Sequence, residues 1–401
     1  MAANHPARSL FHLRTPETPP YTDRHYPSAA GDSEAEEEED PRSAFAHDRD
    51  RIIHADSFRR LQQKTQVMVV SEGDFFRTRL THTLEVAQIG RSLAAQLGIS
   101  EELSEAICLA HDLGHTPFGH TGESTLNALL AGHGGWDSNQ YSLVVVEEIE
   151  TNYPDYPGLN LTWATREGIA RHQTPFDAPV TGGEYVRTLQ PGLEAQACNL
   201  ADVIAYVTHD VQDAIESRLL TRGAVQAWAE AIGCGVWLDA AANAAREVPG
   251  SDREALRVRR IRRSMINALI LDVRQATLAR ATATDTATLD HARALDAPLV
   301  RFSVRVEADV LALVEYLLEN VYRGPVIARQ AYKAQHILDR LFAALVADTR
   351  LLPAPWRSRI VAGEPPERTA AVYLASLTDR GAIDLYTELL VPGERSLGHH
   401  V

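Results

Sequence analysis

Little in this 401-residue chain points to a membrane or to an oxidising compartment. No run approaches the roughly 18 apolar residues that a membrane span needs. The first residues also lack the basic-then-apolar plan of a secretory leader. Cysteine is scarce: Cys108, Cys198 and Cys234 lie far apart with no CxxC between them. That pattern excludes a disulfide framework and a thiolate zinc finger, and it fits a reduced, cytoplasmic protein. Positive charge is short as well, with 39 Lys and Arg against 54 Asp and Glu and a net charge of −15. Duplex nucleic-acid binding rests on neutralising phosphates, so it is disfavoured as the main task. Nearly half of the acidic excess sits in one block, Asp32-Ser-Glu-Ala-Glu-Glu-Glu-Glu-Asp40. Such blocks are usually solvated tails. The remainder is only mildly acidic, which leaves room for a basic pocket around an anionic ligand.

The chain has 45% apolar and 23% charged residues, a globular composition. Residues 1–41 are rich in Pro, Ser and acid without an apolar period and read as a disordered acidic arm. From Arg42 onward helical spacing dominates, and the fold expected is all-α. The spacing places a core over 42–225 and a helical C-terminal region over 226–401 packed on it. Ser100 followed by Glu101-Glu102 is a helix start, a capping side chain ahead of acids in the first turn. Leu103, Ile107, Ala110 and His111 share one face of that helix. Ahead of it Val86, Ile89, Leu93 and Leu97 form the buried stripe of another helix, with His82 near its beginning. Further helices are predicted near 122–132, 138–150, 163–172, 193–218, 253–274, 305–321, 325–348 and 367–391, and a short extended piece between Lys64 and Phe76.

The richest segment is His111-Asp112-Leu-Gly-His115-Thr-Pro-Phe-Gly-His120-Thr-Gly-Glu123. It places three histidines and two carboxylates at a helix end and the turn after it. Adjacent His111 and Asp112, with His82 from the neighbouring helix, supply three metal ligands. A fourth is expected from elsewhere, and Asp202 is the leading candidate. It lies in Asn199-Leu-Ala-Asp202-Val-Ile-Ala-Tyr206-Val-Thr-His209-Asp210. There Leu200, Ile204, Val207 and Val211 make an apolar face, and Asp202, Tyr206, His209 and Asp213 a polar stripe on the opposite side. Alone, such a stripe usually faces water, and a lone core histidine is usually just hydrogen-bonded. Together the two His and two Asp form a nitrogen and oxygen set suited to one divalent ion, Mn, Mg, Fe, Co, Ni or Zn, with Mn or Mg favoured.

His82, His111-Asp112 and Asp202 reproduce the H…HD…D signature of the HD-domain phosphohydrolases. Four ordered segments narrow the likeness: Arg49 through Val67, Arg77-Thr-Arg79-Leu-Thr-His82, the His111–Glu123 run, and Asn199 through Asp213. In that order they resemble the deoxyguanosine triphosphate triphosphohydrolase family. The likeness is close over residues 42–220 and continues weakly to Leu377-Thr-Asp379-Arg380. It implies an HD-type helical core with additional C-terminal helices, and hydrolysis of a deoxynucleoside triphosphate to deoxynucleoside and tripolyphosphate. Water then attacks the α-phosphorus and the sugar 5′-oxygen leaves, so the site needs a metal, an acid for the leaving alkoxide, and cations for the triphosphate.

On this resemblance His82, His111, Asp112 and Asp202 hold the metal, His120 is the acid, and Glu123 orients its ring. His115 donates to a phosphate or shares the proton transfer. Arg79 resembles the triphosphate-binding arginine, and Lys64 is a second phosphate candidate. Gln66 and Asp210 resemble residues contacting the sugar 3′-hydroxyl, and Tyr206 those that close the 2′ position against ribose. His172 is as compatible with a core role as with the pocket. The chain departs from the family at Trp136-Asp137-Ser138-Asn139, where relatives often carry a further histidine. It departs again at Thr378-Asp379-Arg380-Gly381, where a tyrosine is missing. The arginines at 253, 257, 259, 260, 262 and 263 read as the solvated face of an amphipathic helix, with an anion site for a nucleotide effector as the sharper reading. Relatives also imply a homo-oligomer. The competing functions are an HD-type nucleotidase or signalling-nucleotide hydrolase, and a non-catalytic nucleotide or single-strand nucleic-acid binder.

Overall fold

A computed structural model describes residues 9–26, 41–66, 77–174, 185, 189–249 and 253–392. The acidic block and most of the predicted extended piece lie outside the described residues. Among those described the chain is helical, and the one β feature is an isolated antiparallel bridge between Thr65 and Thr78. None of these helices is long and apolar enough to cross a membrane.

The helices are α1 (Ala44–Ile53), α2 (Asp56–Arg60), α3 (Arg79–Leu97), α4 (Glu101–Ala110), α5 (Gly119–Leu129), α6 (Ser138–Val144), α7 (Trp163–Ala170) and α8 (Leu193–Glu216). Then come α9 (Arg222–Ile232), α10 (Gly235–Glu247), α11 (Glu254–Ala283), α12 (Leu289–Arg293), α13 (Val304–Leu317), α14 (Pro325–Ala347), α15 (Ala354–Val361), α16 (Pro366–Ser376) and α17 (Asp379–Leu390). The Ser100 cap predicted for α4 is present, its hydroxyl accepting from Leu103 N at 3.2 Å. Thr78 caps α3 in a reciprocal pair with Thr81, which fixes the first turn where Arg79 and His82 stand.

α3, α4 and α8 pack on one another at the centre. Their approach is close because small residues meet: a Cβ on Gly90 of α3 would come within 2.5 Å of Cys108 Sγ and 3.7 Å of Ala201 Cβ. The stripe on α8 does not face water. Of its four residues His209 is buried as fully as Ile204 and Val207 on the apolar side, and Asp202, Tyr206 and Asp213 are half-buried, because α8 is covered by α3 and α4 on one side and by α11 and α13 on others. The arginine-rich start of α11 buries Val258, Ile261 and Met265 as the amphipathic reading expects. Arg259, Arg260 and Arg262 stand 3.7, 3.6 and 3.6 Å from Glu216, Glu247 and Glu85.

Two expectations need correction. Residues 9–26, predicted within a disordered arm, pack on the core. Leu10 and Leu13 are buried, Thr15 donates from its amide (3.1 Å) and hydroxyl (2.6 Å) to Glu194, and Arg24 pairs with buried Asp48 at 2.7 Å. Short-range composition missed this because the partners lie far along the chain. Asp48 also accepts from Thr162 N (2.9 Å), Thr162 Oγ1 (2.6 Å) and Thr165 Oγ1 (2.7 Å). The predicted helix over 367–391 is two helices, α16 and α17. Thr378 starts the second by accepting from Gly381 N at 3.0 Å.

Candidate metal centre and active-site pocket

The start of α3, the end of α4 and the middle of α8 converge on one buried pocket. Gln66, Arg79, His82, His111, Asp112, His115, His120, Asp202 and Tyr206 line it, together with His172, Thr174 and Val203. His82 Nε2 lies 2.9 Å from Asp202 Oδ1, and His111 Nε2 lies 3.6 Å from Asp112 Oδ1 and 3.9 Å from Asp202 Oδ1. Two overlapping sets, His82, His111 and Asp112, and His111, His172 and Asp202, hold their donor atoms within 4.8 Å of one another.

The donor chemistry fits one divalent cation. His111 Nδ1 is 2.6 Å from the Cys108 carbonyl and must donate to it, which fixes the tautomer and turns the lone pair of Nε2 inward. That buried Nε2 has no hydrogen-bond partner among the described residues, the signature of a position shaped for something else. Both carboxylates are ionised. Burial alone would raise Asp112, but His111, Arg79 and His115 hold it far below the carboxylate range. Asp202 is likewise driven down against burial by His172 and His82. Burial disfavours charge on His82, yet its bond to Asp202 raises its pKa.

Around this centre the predicted residues separate. Arg79 is buried, and its Nη1 is 2.8 Å from Asp112 Oδ1. Thr83 Oγ1 donates to the other oxygen of Asp112 at 3.3 Å. His115 Nε2 lies 3.5 Å from Asp112 Oδ1; burial, with Arg79 alongside, lowers its pKa to about 3, so its ring is neutral at working pH. His120 stands at the rim with its side chain 57% exposed, and its Nδ1 is 3.8 Å from Glu123 Oε2. Glu123 accepts from Ser138 N at 2.9 Å. Although burial opposes it, His120, His115 and the Ser138 amide bring Glu123 down to about 2, so an ionised carboxylate faces the His120 ring.

Lys64 and Asp210 do not line the pocket. The Lys64 ammonium stands behind it, donating to the carbonyls of His115 and, at 3.0 Å, Ala375. Burial, with Arg79 near, lowers its pKa to about 7. Asp210 accepts from the Tyr322 hydroxyl, and burial raises it to about 6. Tyr322 in turn stacks on Tyr206 at 5.9 Å between centroids, 15° from parallel. His172 joins the centre, with Nε2 3.3 Å from Asp202 Oδ2 and its ring 5.1 Å from that of His111. Nothing in Gly168-Ile-Ala-Arg-His172 separates this placement from an ordinary core histidine.

The turn from His115 to His120 is unusual backbone. Phe118 has φ 64° and Gly119 φ 57°. A non-glycine residue there costs roughly 1–2 kcal/mol, so Phe118 is held by its surroundings. The pocket itself encloses about 30 Å³, room for an ion with a water. A cavity of about 540 Å³ adjoins it and shares the walls Thr174 and Val203.

Comparison with known proteins agrees with this geometry. Residues 79–207 match the HD domain, and residues 300–388 match the phosphohydrolase-associated domain. The chain is similar to the deoxyguanosinetriphosphate triphosphohydrolase-like protein of Geobacter sulfurreducens, 44% identical over 90% of this chain and 92% of that one. Proteins of the same name from Ralstonia nicotianae (43% identical, 90% of this chain and 91% of that one) and Bordetella pertussis (44%, 88% and 91%) are similar over nearly the same span. The matched spans take in His82 through Asp202 and the C-terminal helices alike, and the chain belongs to the deoxyguanosinetriphosphate triphosphohydrolase-like family of HD-domain proteins.

Proposed function

We propose that this protein is a metal-dependent triphosphohydrolase that converts deoxynucleoside triphosphates to deoxynucleosides and tripolyphosphate. The observation that carries the reading is the pairing of a four-residue N/O cluster with His120 at its rim, beside an ionised Glu123. His82, His111, Asp112 and Asp202 would hold the cation, with His172 braced on Asp202 from behind. When bound, the cation supplies polarisation of the α-phosphate and a lowered pKa for attacking water.

The chain's own residues do the rest. Arg79, at the pocket wall, neutralises Asp112 and presents positive charge to the triphosphate. His115, neutral, offers a single N–H to a phosphate oxygen. His120 delivers a proton to the departing 5′-oxygen, and the Glu123 carboxylate, 3.8 Å from Nδ1, holds its ring toward the pocket by charge. Gln66, whose Oε1 is buried without a hydrogen-bond partner among the described residues, accepts from the sugar 3′-hydroxyl. Tyr206, fixed by its stack on Tyr322, closes the space a ribose 2′-hydroxyl would need. Asp210 supports that pair through the Tyr322 hydroxyl, and Lys64 supports the His115 carbonyl. With the α-phosphate at the metal residues, one arm of the substrate extends past Thr174 and Val203 into the larger cavity.

The test is product analysis with the four deoxynucleoside triphosphates in Mn or Mg. Tripolyphosphate together with deoxynucleoside is the expected result. Nucleoside monophosphate with pyrophosphate, or cleavage of monophosphates only, would replace the reading.

A further inference from the structure

Asp379 is absent from the pocket, yet it touches both segments that frame it. It is the first residue of α17 and is 4% exposed. Its Oδ2 accepts from the Thr65 amide at 3.1 Å and from the Thr65 hydroxyl. Its Oδ1 accepts from the Phe118 amide at 2.9 Å. Thr65 precedes Gln66, a pocket residue, and bridges to Thr78 beside Arg79. Phe118 lies two residues before His120 and holds the left-handed conformation that turns the chain into α5.

The two segments press together where they share this acceptor. A Cβ built on Gly119 would meet Arg79 Nη2 at 3.5 Å and the carbonyl oxygens of Gln66 and Thr65 at 3.6 Å each. Lys64 makes the matching tie at the other end of the turn, bonding the His115 carbonyl and the Ala375 carbonyl at the end of α16. Residues 375–379 therefore hold both ends of the turn that carries the two pocket histidines. An acid in the first turn of a helix is ordinary dipole compensation. Here no Lys, Arg or His side chain among the described residues pairs with Asp379 within salt-bridge distance, and its two donor residues, Thr65 and Phe118, belong to the segments that frame the pocket.

We propose that Asp379 is a positioning residue for the reaction: from the head of α17 it locks the His115–His120 turn against the Lys64–Gln66 segment and so sets where His120 stands over the metal residues. By the same route, any shift of α16 and α17 moves both histidines. The kinetic part of this proposal rests on the triphosphohydrolase reading; the structural part does not.

Two measurements on full-length Asp379→Ala and the milder Asp379→Asn test it, with Thr65→Ala as the variant that folds if neither does. The first is amide hydrogen exchange, which needs no activity. Protection should fall at 115–120 and 64–66 while the centres of α3 and α8 and the bound Mn stoichiometry stay as in the parent. Unchanged exchange at 115–120 would overturn the clamp. The second is a cycle with His120→Ala. Asp379→Ala alone should lower kcat about 10–100-fold, as misplacing a catalytic group does, with KM within about twofold. In the His120→Ala background the further loss should be under about twofold, because residues acting through one group are non-additive. A loss that multiplies in full would mean that Asp379 acts elsewhere. A parent protein with no turnover at all would sink the functional reading and leave the exchange result to decide the clamp.

Discussion

Replacing Arg79 by Met separates its two jobs, holding Asp112 and meeting a triphosphate. The guanidinium and carboxylate are 2.8 Å apart with side chains 2% and 3% exposed. Met keeps the apolar stem but leaves Asp112 ionised and without its nearest cation. Breaking such a buried pair costs about 3–5 kcal/mol. Unfolding entropy near 2.1 cal/mol/K per residue gives roughly 0.8 kcal/mol/K for a chain of this size, so in EDTA Tm should fall by about 4–6 °C. With saturating Mn the cation takes over the charge on Asp112, and the loss should shrink to about 1 kcal/mol, a shift of 1–2 °C. Thermal melts of parent and variant in both conditions measure the difference. Equal shifts in EDTA and Mn would refute Arg79 as the counter-charge of a metal-binding carboxylate, and so would the absence of any shift in EDTA.

His120→Ala should leave Mn stoichiometry intact and lower kcat about 10²–10³-fold, the usual share of a general acid; metal analysis beside steady-state rates checks both, and unchanged turnover would remove the acid assignment. Asp210 is raised to about 6 by burial, so between the unfolded value of 3.8 and pH 6 the folded protein binds more protons than the unfolded chain. That stability is present below about pH 4 and is lost as pH rises to 6, about 3 kcal/mol in all. Asp210→Asn should therefore raise stability at pH 7.5 by up to about 3 kcal/mol, while the same substitution at pH 4 changes little; denaturant melts at both pH values decide it.

The parts of the site that could be read from the chain are those fixed by local spacing. The Ser100 cap and the 3.6-residue period set α4 and the stripe of α3, which is enough to bring His82 beside His111 and Asp112. Asp202 was reachable because its helix carried polar and small residues on the face opposite the apolar one. Direction was not legible. Whether Lys64 enters the pocket or turns away depends on the carbonyl of Ala375, 311 residues along the chain. Asp210 is turned aside by Tyr322 in the same way. The break between α16 and α17 escaped because apolar spacing runs on from Leu374 to Leu377, and only the Thr378 cap marks it.

Residues 9–26 lie outside both family matches, which cover 79–207 and 300–388. A boundary drawn just after residue 26 would cut two buried carboxylates from donors in that segment. Glu194, near the head of the helix that carries Asp202, would lose both Thr15 bonds and keep the Ser100 amide at 3.0 Å, and Asp48 would lose Arg24. The ties that seat the head of α8 and Asp48 thus begin upstream of the first family-model match, and a fusion partner joined at Thr15 would sit on the core and not on a tether.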